Sequence, residues 1–326
     1  MTPIQTVTLN PALDQTAQCP VVEPGRKLRL SGLTVEAGGG GVNVSRAIAI
    51  LGGASRALVA WGGATGARHR KLLEAEIGDL IALDLEGETR ESLTVNDDGD
   101  QQFRFVLPGP DWSPDLEDRA LDAITEAAGD RALVVLSGSQ PPGVGADFPA
   151  RLARRLGDAG RLVVDTSGAA LESLVRKPSS GAAPWVLRLD QADADAMAGQ
   201  VLDTAQASGT FAQGLVSKGV ADVVILARGS DGTVLAQRDA VLHCRPPQVQ
   251  VASKVGAGDS FTGALVLALA RDEGMEAALA FGTAAAAGAV MTDGSALCRA
   301  QDVARLRPDC VVRRLDPPSA PSSARA

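Results

Sequence analysis

Acid–base chemistry is possible at one glycine-rich segment late in the 326-residue chain. Residues 255–264 read Val-Gly-Ala-Gly-Asp-Ser-Phe-Thr-Gly-Ala and precede an alanine- and leucine-rich stretch that predicts a helix. Gly256, Ala257 and Gly258 permit a tight turn that directs several backbone N–H groups at one spot, where the helix start adds about half a positive charge. Such an anion hole suits a phosphoryl group, and Asp259 beside it can accept a proton from a hydroxyl. The alternative is an ordinary helix-capping aspartate.

A second glycine-rich segment opens another predicted helix. Residues 38–41 are four glycines, which leave no side chain between backbone and ligand, and Asn43 offers both a donor and an acceptor to sugar hydroxyls. A dinucleotide-binding fingerprint is the obvious competitor. It fails because the run follows a charged, alternating segment and lacks the G-x-G-x-x-G spacing.

A third feature is Asp14, which comes just after the first predicted strand. Ligands of α/β proteins are held at the carboxyl ends of strands, so this position favours a binding role. Taken alone, however, an aspartate that caps or closes a turn is the better interpretation of Asp14.

The elements that must position these residues alternate between strands and helices. Apolar runs of strand length lie at residues 4–9, 57–61, 133–136, 162–165, 185–188 and 223–227. Amphipathic stretches between them predict helices, for example at residues 42–51, 148–156 and 210–216. Buried strands that alternate with helices indicate a mostly parallel sheet with helices on both faces.

Two regions break this rhythm, at residues 18–36 and 89–106. Both alternate polar and apolar residues with a period of two, and Asp97-Asp98-Gly99-Asp100 reads as a turn. We expect a small antiparallel β lid with strands within about 15–36 and 88–107, standing over a ligand cleft. The alternative is a plain extension of the main sheet.

Composition excludes several function classes. The formal net charge of −8 argues against a nucleic-acid partner. The first residues have no basic and apolar signal pattern, and the apolar stretches are too short or too alanine-rich for a membrane span, so we expect a cytoplasmic protein with no membrane partner. Four scattered cysteines and two distant histidines predict neither a zinc site nor a redox site.

Considered together, the motifs resemble a known family over nearly the whole chain. They lie, in order, at residues 8–14, 38–47, 62–66, 137–143, 165–168 and 255–259. This set is similar to the PfkB-type, ribokinase-like carbohydrate kinases. The resemblance implies one α/β kinase domain over residues 1–314, with the parallel sheet and β lid described above, and a disordered tail over 315–326.

Within that family, Thr-Leu-Asn-Pro-Ala-Leu-Asp at residues 8–14 looks like the phosphosugar branch. The four glycines, Gly-Gly-Ala-Thr-Gly at residues 62–66 and the run at 103–109 look most like its 6-phosphofructokinase members. This implies ATP-dependent phosphorylation of fructose 6-phosphate. Fructose 1-phosphate or tagatose 6-phosphate as the acceptor, and a weakly active sugar-phosphate or nucleotide sensor, are the alternatives. A pure binder would gain nothing from a base at Asp259.

The resemblance also implies site roles. Asp259 matches the catalytic base, and the three residues before it match the anion hole. The positions that match ligands of the sugar hydroxyls are Asp14, Gly39, Asn43 and Ser139, and those that match ligands of the substrate's own phosphate are Lys27, Arg29 and Arg90. Two or three cations suit a dianionic phosphate. Without the resemblance, Lys27 and Arg29 read as solvated charges on an edge strand.

The nucleotide side departs from the family pattern. Arg188 stands where lysine is usual, Asp190 and Asp193 replace an Asn-x-x-Glu pair, and Ala227 replaces Ser or Thr. Lys254 replaces Thr, whereas Gly229 and Gly232 of the nucleotide loop are retained. The resemblance also implies that Gly256 and Gly258 face the nucleotide. We expect ATP and Mg²⁺ to bind here, with Mg²⁺ held by Asp190 and Asp193 through water. A homodimer through the β lid is implied by the resemblance alone.

Overall fold

The computed structural model describes residues 1–99, 101–178, 181–294 and 296–315, which form two sheets and their flanking helices. The strands are β1 Ile4–Thr8, β2 Ala12–Cys19, β3 Ser31–Gly38, β4 Arg56–Trp61, β5 Leu80–Asp84, β6 Arg90–Asp97, β7 Gln102–Val106, β8 Ala132–Ser137, β9 Gly160–Asp165, β10 Val186–Leu189, β11 Val223–Ala227, β12 Thr233–Gln237, β13 Ala240–Arg245 and β14 Val311–Arg314. The α-helices are α1 Gly40–Ile50, α2 Gly63–Leu73, α3 Pro114–Ala128, α4 Phe148–Leu156, α5 Gly168–Arg176, α6 Gln191–Ala198, α7 Ala205–Ser217, α8 Ala257–Ala270, α9 Met275–Ala289 and α10 Ala300–Leu306.

The main sheet has ten strands in the order β14-β13-β12-β11-β10-β9-β8-β1-β4-β5. From β11 to β5 all neighbouring strands are parallel, whereas β12, β13 and β14 add an antiparallel edge. The six strands expected from apolar runs all lie in the parallel part. This confirms the predicted, mostly parallel sheet.

Helices cover both faces of that sheet because its buried strands are apolar on both sides. In β8, Val134 and Leu136 face the core under α3 to α7, while Leu133 and Val135 face the core under α1, α8, α9 and α10. A third, smaller core lies between α2 and the β4 side of the sheet. The sheet that carries the candidate site residues is therefore packed against a hydrophobic core on each face.

The second sheet is the predicted lid, and it has the order β3-β2-β6-β7. Its outer pairs are antiparallel as expected, but the central pair, β2 and β6, is parallel. β6 does not return from β2 through a hairpin; it arrives after β4, α2 and β5, and so enters the lid running in the same direction as β2.

Four sequence expectations concern the rest of the chain. Lys27 and Arg29 lie in the irregular segment between β2 and β3, not on an edge strand. The tail expected over 315–326 lies, apart from Leu315, outside the described residues. Within the described ranges no helix is long and apolar enough to cross a membrane, and all four cysteines are buried and free.

Candidate active site

The carboxyl ends of parallel strands meet at one edge of a sheet, and the site lies along that edge. Asp165 ends β9, Asp190 follows β10 and Ala227 ends β11. The glycine turn before α8 brings a fourth segment to the same edge, from far along the chain. The fold thus gathers residues that are up to 245 positions apart, from Asp14 to Asp259.

Asp259 is the third residue of α8, whose start has the geometry expected from the sequence. Gly256 precedes the helix with φ of 75°, a left-handed conformation that favours glycine. The first N–H groups of any helix have no intrahelical acceptor, so those of Ala257 and Gly258 are available to an anion. Asp259 does not cap the helix. Its Oδ2 accepts a hydrogen bond from Asn43 Nδ2 at 3.0 Å.

The electrostatic surroundings keep Asp259 weakly acidic. Burial and the nearby Asp165 carboxylate raise the pKa of Asp259 to about 7, against the opposing effects of Asn43 and Arg188. Asp14 adds a smaller repulsion that also raises this pKa. A carboxylate with a pKa near neutrality is suited to accept a proton from an attacking hydroxyl.

Behind Asp259 lies a network that the sequence interpretation missed. Arg188 Nη1 donates to both oxygens of Asp165, at 2.9 and 3.1 Å, and Thr262 Oγ1 donates to Asp165 Oδ2 at 2.8 Å. A side-chain carbon added at Gly258 would lie 2.9 Å from Arg188 Nη2. Gly258 is therefore needed because the guanidinium packs directly against the helix start. The position of Asp165 at a strand's carboxyl end was the signal that could have revealed it.

Arg188 remains charged in this setting. Burial lowers the pKa of the Arg188 guanidinium, but the opposing charges, above all Asp165, outweigh burial and raise it. Only 13% of the side chain is exposed. Arg188 thus supplies fixed positive charge beneath the anion hole, and its role towards nucleotide phosphates stays a prediction.

The glycine run at residues 38–41 allows close packing of α1 as well as close approach of a ligand to the backbone. Carbon atoms added at Gly40 or Gly41 would lie 2.5 Å from Ser137 Oγ and from Thr8 Oγ1, respectively. Gly39, with φ of 127°, precedes α1 and its carbonyl accepts from Asn43 N at 2.9 Å. The run therefore lets α1 approach the ends of β1 and β8, which places Asn43 against Asp259.

Asp14 lies on the lid rather than in a turn after β1. It is the third residue of β2, and burial raises its pKa to about 6 although Arg90 and Arg104 act to lower it. A carbon added at Gly38 would lie 1.9 Å from Asp14 Oδ2, so the carboxylate lies directly on the glycine backbone. Arg104, on β7, is a lid cation that the sequence interpretation left without a role.

Arg90 and Ser139 line one cavity of about 590 Å³, which lies between the lid and the main sheet. Asn10 joins them, because its Nδ2 donates to Ser139 Oγ at 3.3 Å and its carbonyl accepts from Arg90 Nε at 3.3 Å. Burial lowers the pKa of Arg90 while Asp14 raises it. The start of α5, at Gly168, also lines this cavity. With the Arg90 cation and a helix start in its lining, the cavity can accept a small anionic group.

The other two expected phosphate ligands are not brought to this cavity within the single chain. Lys27 and Arg29 are exposed and make no hydrogen bond or ion pair with any other described residue. The structure thus groups Arg90 with the site and leaves Lys27 and Arg29 on the outer segment of the lid.

The expected metal residues lie at the start of α6. Asp190 caps this helix, since its Oδ1 accepts from Asp193 N at 2.7 Å. Burial, Asp190 and Asp165 raise the pKa of Asp193, and Arg188 opposes them. Among the described residues no group of three or more His, Cys, Asp or Glu could hold a metal ion. Asp193 and the second oxygen of Asp190 fit Mg²⁺ only as partners in a largely hydrated shell.

The nucleotide loop follows the neighbouring strand. Leu189 and Leu226 are paired across β10 and β11, so Ala227 lies beside Asp190 at the sheet edge. Gly229 and Gly232 both have positive φ, of 56° and 93°, and an added carbon at Gly232 would lie 2.0 Å from the Cys244 carbonyl oxygen. These two glycines are needed for the shape of the loop itself.

Comparison with known proteins identifies the family of the chain. Residues 7–302 match the model of the pfkB family carbohydrate kinases. The ATP-dependent 6-phosphofructokinase isozyme 2 of Mycobacterium tuberculosis is 38% identical over 310 residues, which is 93% of this chain and 88% of that protein. The 1-phosphofructokinase of Xanthomonas campestris is 33% identical, over 82% of this chain and 84% of that protein.

Solved structures give the same result for the fold. The structure of phosphofructokinase-2 from Escherichia coli in complex with fructose-6-phosphate superposes with a TM-score of 0.85, at 31% identity, over 95% of this chain and 99% of that one. The ribokinase-like fold and the family resemblance are thereby confirmed. The chain belongs to the pfkB family of carbohydrate kinases.

Proposed function

We propose that this kinase transfers the γ-phosphoryl group of ATP to the free hydroxymethyl group of fructose 6-phosphate. The observation that carries the proposal is Asp259, held by Asn43 beside the free N–H groups of α8, with a pKa of about 7. The 6-phosphofructokinase isozyme 2 relative and the complex of the Escherichia coli protein with fructose-6-phosphate favour this acceptor.

The reaction asks little covalent chemistry of the protein. The Asp259 carboxylate takes the hydroxyl proton, the acceptor oxygen bonds to the γ-phosphorus, and the bond from that phosphorus to the bridging oxygen breaks. ADP leaves with the electron pair. Negative charge that develops on the phosphoryl oxygens is stabilised by the N–H groups of Gly256 to Gly258 and by the fixed charge of Arg188.

The remaining ligands follow from the site geometry and the resemblance. Asp14, Gly39, Asn43 and Ser139 bind the sugar hydroxyls, and Arg90 binds the substrate's phosphate at the cavity. Ala227, Gly229 and Gly232 border the nucleotide. Asp190 and Asp193 would hold Mg²⁺ through water, and the ion would supply charge neutralisation at the ATP phosphates. We place this chemistry in the cytoplasm, as the sequence predicts.

We further propose a homodimer through the lid. The lid and its flanking segments expose large apolar side chains, namely Leu28, Leu30, Leu33, Phe105, Val106 and Leu107. Exposed large apolar side chains on the lid and its flanking segments are typical of an interaction surface. A second copy of the chain is the occupant that the resemblance implies, and it would cover Lys27 and Arg29 as well.

Fructose 1-phosphate is the second candidate acceptor, because a 1-phosphofructokinase is also a relative. The discriminating experiment is a coupled ADP-release assay with fructose 6-phosphate, fructose 1-phosphate, tagatose 6-phosphate and free fructose. We expect the highest kcat/KM with fructose 6-phosphate and a much lower value with free fructose. Equal use of free fructose, or preference for another phosphosugar, would contradict the assigned acceptor. No turnover with any of them would favour the sensor.

The same assay on Arg90→Ala tests the phosphate site. Loss of a charge-assisted contact of about 1.5–3 kcal/mol corresponds to a drop of roughly 10- to 150-fold in kcat/KM. The value of kcat/KM should fall for the phosphosugar and stay unchanged for free fructose. Arg56→Ala is the matched control, since Arg56 is exposed at the opposite end of the sheet and pairs with Asp79.

A further inference from the structure

A buried histidine joins three elements beneath the glycine run. His69, on α2, is fully buried. Its Nδ1 accepts from the indole Nε1 of Trp61, at the end of β4, at 2.9 Å. Its Nε2 lies 2.9 Å from the carbonyl oxygen of Gly38, at the end of β3. The imidazole is thus a bridge between the main sheet and Gly38, the last residue of β3 and the first of the four glycines.

The two partners determine the protonation of His69. An indole N–H can only donate and a carbonyl oxygen can only accept, so Nδ1 carries no proton and Nε2 carries one. Burial, the main effect, lowers the pKa of His69, and Arg46 lowers it further against the opposing Gly38 carbonyl. The other facing cation is Arg70, which lies 5.6 Å above the Trp61 ring. A neutral imidazole in one tautomer satisfies every one of these contacts.

The carbonyl that His69 holds belongs to a peptide that matters for the sugar site. Peptide units are planar and trans, so fixing the Gly38 oxygen also fixes the direction of the Gly39 N–H. Four consecutive glycines have little conformational preference of their own and need an external restraint. Asp14 Oδ2 lies against Gly38, and the Gly39 carbonyl accepts from Asn43 N, so both neighbours move if this peptide rotates.

We propose that His69 is a positioning residue for the acceptor-sugar site, where it bridges Trp61 and Gly38 and thereby aligns Gly39, Asp14 and Asn43. This inference rests on the proposed function, because it assigns those three residues to the sugar. The proposal adds two buried residues, His69 and Trp61, to the set that shapes the sugar site, although neither is expected to contact the substrate.

Steady-state kinetics of His69→Ala, His69→Gln and Trp61→Phe test the proposal. We expect His69→Ala to raise KM for fructose 6-phosphate at least about 5-fold, the worth of one lost buried hydrogen bond, while KM for ATP stays within about 2-fold. Glutamine offers one acceptor and one donor at the end of its side chain, so His69→Gln should recover most of the loss. The KM of Trp61→Phe for fructose 6-phosphate should lie between those of His69→Gln and His69→Ala.

Leu73→Ala is the matched control, because Leu73 is fully buried in the small core on the same helix and its aliphatic side chain can make no hydrogen bond to Trp61 or Gly38. It should lower the Tm without changing KM for the sugar. If all variants change Tm but none changes sugar KM, or if KM for ATP rises equally, His69 is merely structural and the proposal is wrong. A wild-type enzyme that turns over no hexose phosphate would instead overturn the proposed function.

Nitrogen NMR of the wild-type protein supplies a readout that does not depend on the variants folding. We expect His69 to be neutral and protonated on Nε2 throughout the pH range of activity. A charged ring at neutral pH, or protonation on Nδ1, would overturn the bridge.

Discussion

At the residue scale, the chemistry depends on how one carboxylate is surrounded. Asp259 carries opposing influences: burial and Asp165 favour its protonated form, while Asn43 and Arg188 favour the charged form. The balance leaves its pKa near neutrality, where a carboxylate is basic enough to accept a hydroxyl proton and is still partly ionised at neutral pH. The neighbours of Asp259 thus set how strong a base this carboxylate can be.

Asp259→Asn is expected to lower kcat by about 10²- to 10⁴-fold, the usual contribution of a positioned general base. Asparagine keeps the size of the side chain, so sugar binding measured by calorimetry should persist. Because the folded-state pKa of Asp259 is raised, ionisation destabilises the wild-type fold as pH rises from 3.8 through about 7, and the variant should escape that loss. Turnover above about a tenth of wild type would refute the role.

The pH dependence of kcat/KM gives a second test at this scale. The base must be ionised, so activity should fall as pH drops below about 7, rather than near the usual carboxylate range. Asp165→Asn removes the nearest like charge and leaves Arg188 unneutralised, and both changes lower the pKa of Asp259. The acidic limb should therefore move to lower pH. A shift to higher pH, or none, would contradict this electrostatic account.

At the element scale, helix starts form most of the site. The first turn of α8 follows the glycine turn and carries Asp259, the first turn of α1 lies in the glycine run and carries Asn43, and α6 follows its cap Asp190. Each start directs unpaired N–H groups to the carboxyl edge of the sheet, where anions are stabilised. Asp190 has two duties there, because it caps α6 and is an expected partner of Mg²⁺ through water.

Variants at the start of α6 separate those duties. Asp193→Ala should keep the requirement for a divalent ion but need about 10-fold more free Mg²⁺ for half-maximal rate at fixed MgATP, as for other outer-shell metal partners. Asp190→Asn combined with Asp193→Glu restores the usual family pair and keeps a good helix cap, so it should retain activity with a shifted Mg²⁺ dependence.

The control for this titration is Glu172→Ala, which removes one exposed carboxylate from α5, where it pairs with Arg176. Its Mg²⁺ curve should match wild type. Curves that superimpose for all variants would mean that Asp190 and Asp193 only start the helix.

At the scale of the whole molecule, the protein is a rigid sheet with an apolar lid attached at one edge. The two cores on either side of the main sheet pack around the strands that carry the expected nucleotide residues, whereas Asp14, Arg90 and Arg104 come from strands of the second sheet. In the proposed function, sugar binding therefore depends on the position of the lid, and the exposed apolar side chains of the lid would link that position to the proposed association with a second copy.

The association prediction is tested by light scattering after gel filtration. The wild type should have twice the mass of one 33.3 kDa chain. Leu33→Glu places a charge on an exposed apolar lid position and should give a monomer with a raised KM for fructose 6-phosphate. Val201→Glu, which alters an exposed valine outside the lid, is the control. A monomeric wild type would contradict the proposed homodimer.

The sequence alone determined much of the fold. The six buried strands and helices such as α4, with bounds at Phe148–Leu156, were predictable because apolar periodicity is a local property. The antiparallel edge β12–β14 and the parallel pairing of β2 with β6 were not predicted, because pairing between distant strands is settled by packing rather than by local pattern. For the site, glycine turns followed by Asp259 and Asn43 were visible as spacing, and the family resemblance supplied their roles.

Only the tertiary structure decided which neighbours act on those residues. Nothing in the sequence near Asp259 indicates that Asp165, Arg188 and Thr262 lie behind it, since these positions meet only when β9, β10 and α8 pack together. The same holds for His69, a lone histidine with no motif, which the fold places between Trp61 and Gly38. Local sequence specifies which groups can react, but the pKa of a group and the restraint on a backbone arise from contacts across the fold, because burial and charge act through space.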